Sequence, residues 1–350
     1  MVPVVASAAT FGAWMDLRPG LGRQPDASYY AERLEEAELI EQLGLGAVWG
    51  SEHHGDTDGH LSQQLPFLAA VAARTGSLRL GTGVLLLPLH RPRDVAEQAG
   101  EVDLVSGGRL LLGLGNGYVQ HEFDAYGVDR SARGRRMEEG VAYLRRAFSK
   151  GVAADGPDGT DLPVGPRPAQ PGGPPLLLGG MAPRALERVA RIADGWFCLA
   201  HYRYQKAADA WPVLREALEK AGRPVAGFPI VIGVHLWVSD DPERAWATQL
   251  APGLAFQLGR YSEWSTDRGQ PPPPPIDQQR LKRSAVLCDT PERVRAALAE
   301  LQEQLPFTHV CLWSRPAGIG HEDACANLER VAAEVAPAFA GPEPAWRASG

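Results

Sequence analysis

Glu52, His53 and His54 follow directly on the apolar run Ala47-Val48-Trp49, and Gly55 comes at once after them. Histidine is the side chain most easily placed on either side of neutral pH, and a neighbouring glutamate can bias which ring nitrogen holds the proton. The triplet therefore suits proton transfer. Leu43-Gly44-Leu45-Gly46 reads as a helix end and turn, and Val48 and Trp49 are strand formers, so the triplet falls at a strand's carboxyl end. Two histidines where a loop begins can equally be solvated or packed structurally.

Two glycine clusters offer binding chemistry. Gly113-Leu114-Gly115-Asn116-Gly117 ends a buried apolar run, but Tyr118 stands where a dinucleotide finger needs its third glycine, and no acidic residue ends a second strand about twenty positions on. That argues against a Rossmann unit, while small residues still let a flat ligand lie against backbone; a barrel strand that needs glycine to turn explains them as well. Gly179-Gly180-Met181-Ala182-Pro183-Arg184 leads into a helix start, where free N–H groups and the positive helix end attract phosphate, with Arg184 adding charge. His53, His54, Asp56, Asp58 and His60 are ordinary metal-ligand types, with His201 and His235 as further donors. Strand five ends in Gly-Gly and strand eight in Ser314-Arg315, so later strands offer little to complete a site, and no metal is assigned. No GxSxG elbow appears, which leaves acyl-enzyme hydrolysis without support.

Composition bounds the rest. The chain has 350 residues, 44% of them hydrophobic and 22% charged, enough to bury a sizeable core. A net charge of −7 without a dense Lys/Arg run argues against a nucleic-acid surface and for small-molecule or protein partners. The four cysteines are widely spaced with no CxxC pair, as in a reducing compartment. The amino terminus lacks the order of a secretory signal, and no apolar run approaches the roughly 18 residues of a membrane span. A cytoplasmic protein is expected.

Eight apolar strands, each followed by an amphipathic helix, can be read along the chain, beginning at Val2–Ala9 and ending at Thr308–Trp313. Helices are expected at Ser28–Leu43 with Ser28 as cap, at Leu65–Arg74, Pro92–Val105, Ser131–Phe148, Pro183–Ala193 and Tyr204–Lys220, from Thr290-Pro291, and at Glu322–Val335. This is the pattern of a (β/α)8 TIM barrel, an α/β fold, with an open doubly wound sheet as runner-up. One domain over 1–340 is expected, carrying a Gly/Pro-rich insertion at 151–174 and a larger one at 242–283 after strand seven, Ile230–Val238. The second insertion holds Tyr261, Trp264 and five prolines, Pro271–Pro275. Residues 341–350 read as a flexible tail. In a barrel every strand's carboxyl end faces one mouth, so the polar groups converge there. Trp14, His235, Trp237 and Trp313 are candidates for its lining or for core.

Taken together, these residues resemble the bacterial luciferase-like flavin monooxygenases. The resemblance is carried by Val48-Trp49-Gly50-Ser51-Glu52-His53-His54, Leu80-Gly81-Thr82-Gly83-Val84 with Leu87-Pro88, Ser106-Gly107-Gly108-Arg109, and Leu112-Gly113-Leu114-Gly115-Asn116-Gly117-Tyr118. Glu122-Phe123, Gly127, Arg135, Gly179-Gly180 and Ala193-Asp194-Gly195-Trp196 continue it in the family's order. It implies a barrel that holds reduced FMN, which with dioxygen gives a flavin hydroperoxide that oxygenates an aldehyde, ketone, sulfonate, amine or hydrocarbon. His53 would then be the acid or base beside the flavin ring, supported by Glu52 and His54. Gly83 and Val84 would border the ring through an unusual peptide, the cis form being an option. Gly115, Asn116, Gly117, Gly179, Gly180, Met181, Ala182 and Arg184 would complete the cofactor site. Asn116 stands where luciferase has an arginine near the phosphate, leaving that charge to Arg184 or to backbone, and Gly115 lacks luciferase's thiol, so light emission is not implied. Such chemistry needs a dry site, which makes the 242–283 insertion a lid candidate, with a surface loop as its alternative. A transient flavin reductase, a small-molecule substrate and a homodimer are the implied partners. Three alternatives stay open: hydride transfer with a deazaflavin coenzyme on the same fold, a non-catalytic flavin-binding protein, and a metal hydrolase.

Overall fold

Side chains alternate in and out along eight parallel strands, and this period of two decides which residues fill the barrel and which meet the helices. The strands of the computed structural model are β1 (Thr10–Met15), β2 (Ala47–Gly50), β3 (Arg79–Leu85), β4 (Leu110–Leu114), β5 (Leu176–Gly179), β6 (Gly195–Cys198), β7 (Ile230–Val238) and β8 (His309–Trp313). Each pairs in parallel with the next, and β8 closes on β1 through Thr10↔His309 and Phe11↔Val310. The result is the (β/α)8 barrel that the sequence predicts. The structure describes residues 8–20, 22–199, 204–266, 286–342 and 345–346.

Trp14, Trp49, Leu111, Leu177, Phe197 and Trp313 point inward and pack together. Their neighbours Phe11, Val48, Leu112, Leu178, Trp196 and Ile232 join the core beneath the helices. One inward position must be empty for this packing to close: a Cβ on Gly81 would lie 2.0 Å from Cε3 of Trp49.

The helices Ala27–Gln42, Gln64–Arg74, Pro92–Val105, Arg133–Lys150, Pro183–Ile192, Tyr204–Lys220, Pro291–Gln304 and His321–Arg330 surround the barrel. Met137, Val141, Leu144 and Phe148 form the buried face of the fourth, as their spacing predicts. Among the described residues no helix is long and apolar enough to cross a membrane.

Several elements differ from the sequence reading. The first barrel strand is Thr10–Met15, which pairs with both β2 and β8; of the expected Val2–Ala9, residues 2–7 lie outside the described residues. The first helix is capped by Asp26, whose Oδ1 accepts from Tyr29 N at 2.9 Å, while Ser28 only donates to that carboxylate. A short strand at Val286–Asp289 went unread. β7 is nine residues long; Val231–Val234 pair with β8, and His235–Val238 pair with this extra strand, which satisfies backbone groups that overshoot the barrel.

Within the Gly/Pro-rich insertion Val152–Ala153 pair antiparallel with Leu162–Pro163. The larger insertion begins as helix Pro242–Ala245, passes through a π-turn at Trp246–Leu250 and runs on as helix Ala251–Thr266. Its five prolines lie outside the described residues, as does His201. Trp346, in the stretch read as a flexible tail, is buried and stacks on His309 at 3.6 Å between ring centroids, 5.8 Å from Trp49. His309 starts β8, so Trp346 closes the floor of the barrel.

Trp346→Ala should therefore cost roughly 3 kcal/mol, as for a core aromatic, and lower the melting temperature by several degrees in calorimetry. An unchanged melting temperature would show that the tail contributes nothing.

Candidate active site

The loop after β2 brings His53 to the barrel mouth because its backbone is tied down on both sides. Ser51 N donates to Met15 O at 3.1 Å, His53 N to Leu61 O at 3.2 Å, and Leu61 N to Asp16 O at 2.8 Å. His53 Nδ1 lies 2.8 Å from Oε1 of Glu122, and the same oxygen accepts from His54 N at 2.9 Å. Glu122 is 1% exposed, on the short helix Gln120–Ala125 beyond β4. Against a carboxylate acceptor the ring proton belongs on Nδ1, which leaves Nε2 as the nitrogen available to the cavity.

Glu52 has a different task. Its Oε1 accepts from His54 Nε2 at 2.9 Å and His90 Nε2 at 2.7 Å, and its Oε2 from Gln64 Nε2 at 2.9 Å. Gln64 Oε1 in turn accepts from Gly83 N at 3.1 Å, and Gly83 O accepts from Trp14 Nε1 at 2.7 Å. The Gly83–Val84 peptide in this chain of bonds is cis. Burial alone would raise the Glu52 carboxyl, but the hydrogen bonds from His54 and His90 outweigh it and bring it down to about 2. Glu52 is thus a fixed charge. His54 turns towards it rather than towards the cavity, and Tyr126 Oη lies 3.1 Å from His54 Nδ1 on its other side.

The metal-ligand types grouped from sequence are dispersed. Asp56 pairs with Arg260, Asp58 with Arg18, and His60 sits between Leu61 O and Ser51 Oγ. Burial, then the nearby Arg18 charge, lowers His60 well below the usual histidine range, so it is neutral. His235 stacks on Trp313 at 4.4 Å. Among the described residues the set whose donor atoms converge within 4.8 Å is Glu52, His54 and His90.

A cavity of about 650 Å³ opens at the mouth. His53, Gly83 and Val84 line it from one side, and Gly115, Asn116 and Gly117 from the end of β4. Gly179, Gly180 and Met181 line it from the end of β5, and Trp14 and Trp313 from β1 and β8. Ala182 and Arg184 stand outside the lining, exposed at the amino end of helix Pro183–Ile192. Trp237 packs instead against Trp246 and Leu250 of the large insertion. Two features fit a flat ring with an N–H at its edge. A Cβ on Gly115 would lie 2.4 Å from Cγ2 of Val84, so glycine keeps that wall low. Asn116 Oδ1 is buried and without a partner, an acceptor in want of a donor.

Helix Ala251–Thr266 covers the cavity. Trp264 is buried with its ring 4.3 Å from that of His53, and Tyr261 lies 6.0 Å from it. Leu258 and Tyr261 also line the cavity. The part of the insertion up to Thr266 thus lies over the cavity mouth, where a lid would sit.

Four neighbours were not picked out as site residues by sequence reasoning: Glu122, Gln64, His90 and Tyr126. Glu122 belongs to the quoted motif and is an acidic residue just beyond Gly-Asn-Gly, a signal that could have singled it out. His90 follows the Leu87-Pro88 pair in the same way.

Comparison with known proteins gives the family. The family model described as luciferase-like monooxygenase matches residues 10–309. The chain is 37% identical over 140 residues to 4-hydroxyprotoasukamycin monooxygenase of Streptomyces nodosus subsp. asukaensis, covering 40% of this chain and 38% of that protein's length. It is 28% identical over 338 residues, 91% of this chain and 96% of the other, to the F420-dependent glucose-6-phosphate dehydrogenase of Beutenbergia cavernae. In fold it is similar to the oxygenating constituent of 3,6-diketocamphane monooxygenase of Pseudomonas putida, solved in complex with FMN. That likeness has a TM-score of 0.79 at 16% identity and covers 96% of this chain and 100% of that one.

The Glu52 charge has a consequence for acid stability. A carboxyl at about 2 when folded, against an ordinary 4.5, stabilises the fold above pH 4.5, and that contribution is lost as pH falls towards 2. Wild-type melting temperature should fall more steeply between pH 4.5 and 3 than that of Glu52→Gln. Parallel curves would contradict the assignment.

Proposed function

The chain belongs to the luciferase-like monooxygenase family, and from that membership we propose that it oxygenates a small organic substrate with dioxygen and reduced FMN delivered by a separate flavin reductase. What carries the proposal is one observation: an imidazole fixed through Nδ1 faces glycine-walled ridges inside a covered cavity.

The FMN, when bound, would supply the activation of dioxygen; the remaining tasks fall to this chain's own groups. Gly83, Val84, Gly115 and Gly117 are the positions where a flat ring could lie against the wall, with Asn116 Oδ1 free to accept an N–H from its edge. Gly179, Gly180, Met181 and Ala182 lead to the amino end of helix Pro183–Ile192; Pro183 has no N–H and the amides of Ala185 and Leu186 donate to Ala182 O, so a phosphate there would rely on the positive helix end and on Arg184, through its amide and its side-chain charge. His53 is the proton carrier: Glu122 holds Nδ1–H, so Nε2 can take a proton from, or return one to, a group in the cavity. Glu52 and His54 act as supports. Trp264 and Tyr261 exclude water above the site.

The relative named as the oxygenase component of the flavin-dependent trigonelline monooxygenase of Acinetobacter baylyi, 23% identical over 340 residues, supports a flavin reductase as a transient partner, since that chain is by name one component of its enzyme. A homodimer in the cytoplasm is the assembly that goes with this reading. Hydride transfer with a deazaflavin is the second reading, favoured by the relative of that type that matches nearly the whole chain.

Oxygen uptake should occur with enzymatically reduced FMN and a substrate from a panel of aldehydes, ketones, amines, sulfonates and hydrocarbons, and not with a reduced deazaflavin. His53→Gln should lower product turnover roughly 10²- to 10⁴-fold while FMN affinity stays within threefold. Turnover that survives the substitution would overturn the role of His53. Reduction of substrate by the deazaflavin without oxygen uptake would favour the second reading.

A further inference from the structure

Between the lid and the barrel lies a buried charge cluster that the proposed proton chemistry does not use. Arg18 follows β1 and is 1% exposed. Its Nε donates to Asp16 Oδ2 at 3.0 Å, its Nη1 to Asp58 Oδ2 at 3.0 Å, and its Nη2 to Tyr261 Oη at 3.1 Å. The lid helix adds Gln257, whose Nε2 donates to Asp16 Oδ2 at 3.0 Å, and Arg260, which pairs with Asp56. Two barrel carboxylates thus fix the plane of one guanidinium, and a planar fork held on two edges aims its remaining donor at one place. That place is the hydroxyl of the lid's Tyr261.

Packing continues the same line into the site. The guanidinium carbon lies 5.3 Å from the Tyr261 ring and 5.8 Å from the Trp313 ring, between a lid aromatic and a cavity wall. Tyr261 meets Trp264 edge-on at 5.0 Å, and Trp264 lies 4.3 Å from His53. The contact between lid and barrel is also incomplete: Asp56 Oδ2, Gln257 Oε1 and Arg260 Nε are buried without partners. Opening would return these atoms to water, which offsets part of the bonding lost. The lid is held, and it is not locked.

We propose that Arg18 is the positioning residue of the lid: by binding the Tyr261 hydroxyl it seats Tyr261 and Trp264 over His53 and sets how far water reaches the cavity. This rests on the reading of that cavity as the reaction site, but it concerns the protein alone and can be tested without cofactor.

The test uses the full chain as wild type, Tyr261→Phe and Arg18→Lys. The first substitution removes only the hydroxyl; the second keeps a charge between Asp16 and Asp58 and loses the fork. Acylation of His53 by diethyl pyrocarbonate, mapped by peptide mass and normalised to an added histidine-containing reference peptide, should speed up at least fivefold in both variants. Amide exchange over residues 251–264 should rise at least tenfold while that over 230–238 is unchanged. Should Arg18→Lys lose protection over 230–238, Tyr261→Phe alone decides. A wild-type rate at His53 and unchanged exchange over 251–264 in a folded variant would overturn the proposal. Failure of FMN to bind would count against the function proposed above and would leave these two readouts as they stand.

Discussion

The site turns on the 2.8 Å bond between His53 Nδ1 and Glu122. An imidazole has two equivalent ways to carry one proton, and only a partner on one nitrogen makes the other predictable. Glu122 supplies that partner from a helix after β4, and its second bond, to His54 N, ties the same carboxylate to the backbone of the histidine loop. Ring orientation and tautomer are therefore set by one oxygen, which also adds to the backbone bonds that hold the loop.

The barrel makes the arrangement possible because it gathers the ends of β2, β3, β4 and β5 at one mouth. The inward aromatics Trp14, Trp49, Phe197 and Trp313 fill the space below, so the cavity has a solid apolar floor. In such surroundings a charge must be paired, and Glu52 and Arg18 both are. Glu52 is neutralised in effect by two imidazoles and an amide, and the Arg18 cluster by two carboxylates. The same low polarity strengthens whatever proton transfer His53 performs and makes the exclusion of water by Trp264 worthwhile.

Much of this was legible in the sequence where punctuation is strong. Helix Tyr204–Lys220 stops at Ala221-Gly222, and strand Ile230–Val238 is an unbroken apolar run; both are found with those bounds. The glycine-ended strands and the Glu-His-His triplet do meet at one mouth. What could not be read is pairing across the chain. Val2–Ala9 is as apolar as Thr10–Met15, and only the register with His309 and Ala47 selects the second. Glu122 lies 69 residues from His53, and His90 lies 38 from Glu52, so no local pattern announces either bond. The Arg18 cluster joins residues more than 240 positions apart, which only the folded lid reveals.

Nitrogen NMR of histidine-labelled protein, with His53 assigned by its loss in a variant, reads the central bond directly. The account predicts a proton on Nδ1 and a bare Nε2 whose signal moves when FMN is added, with Nδ1 little changed. A proton resident on Nε2, or a His53 signal indifferent to the flavin, would contradict it.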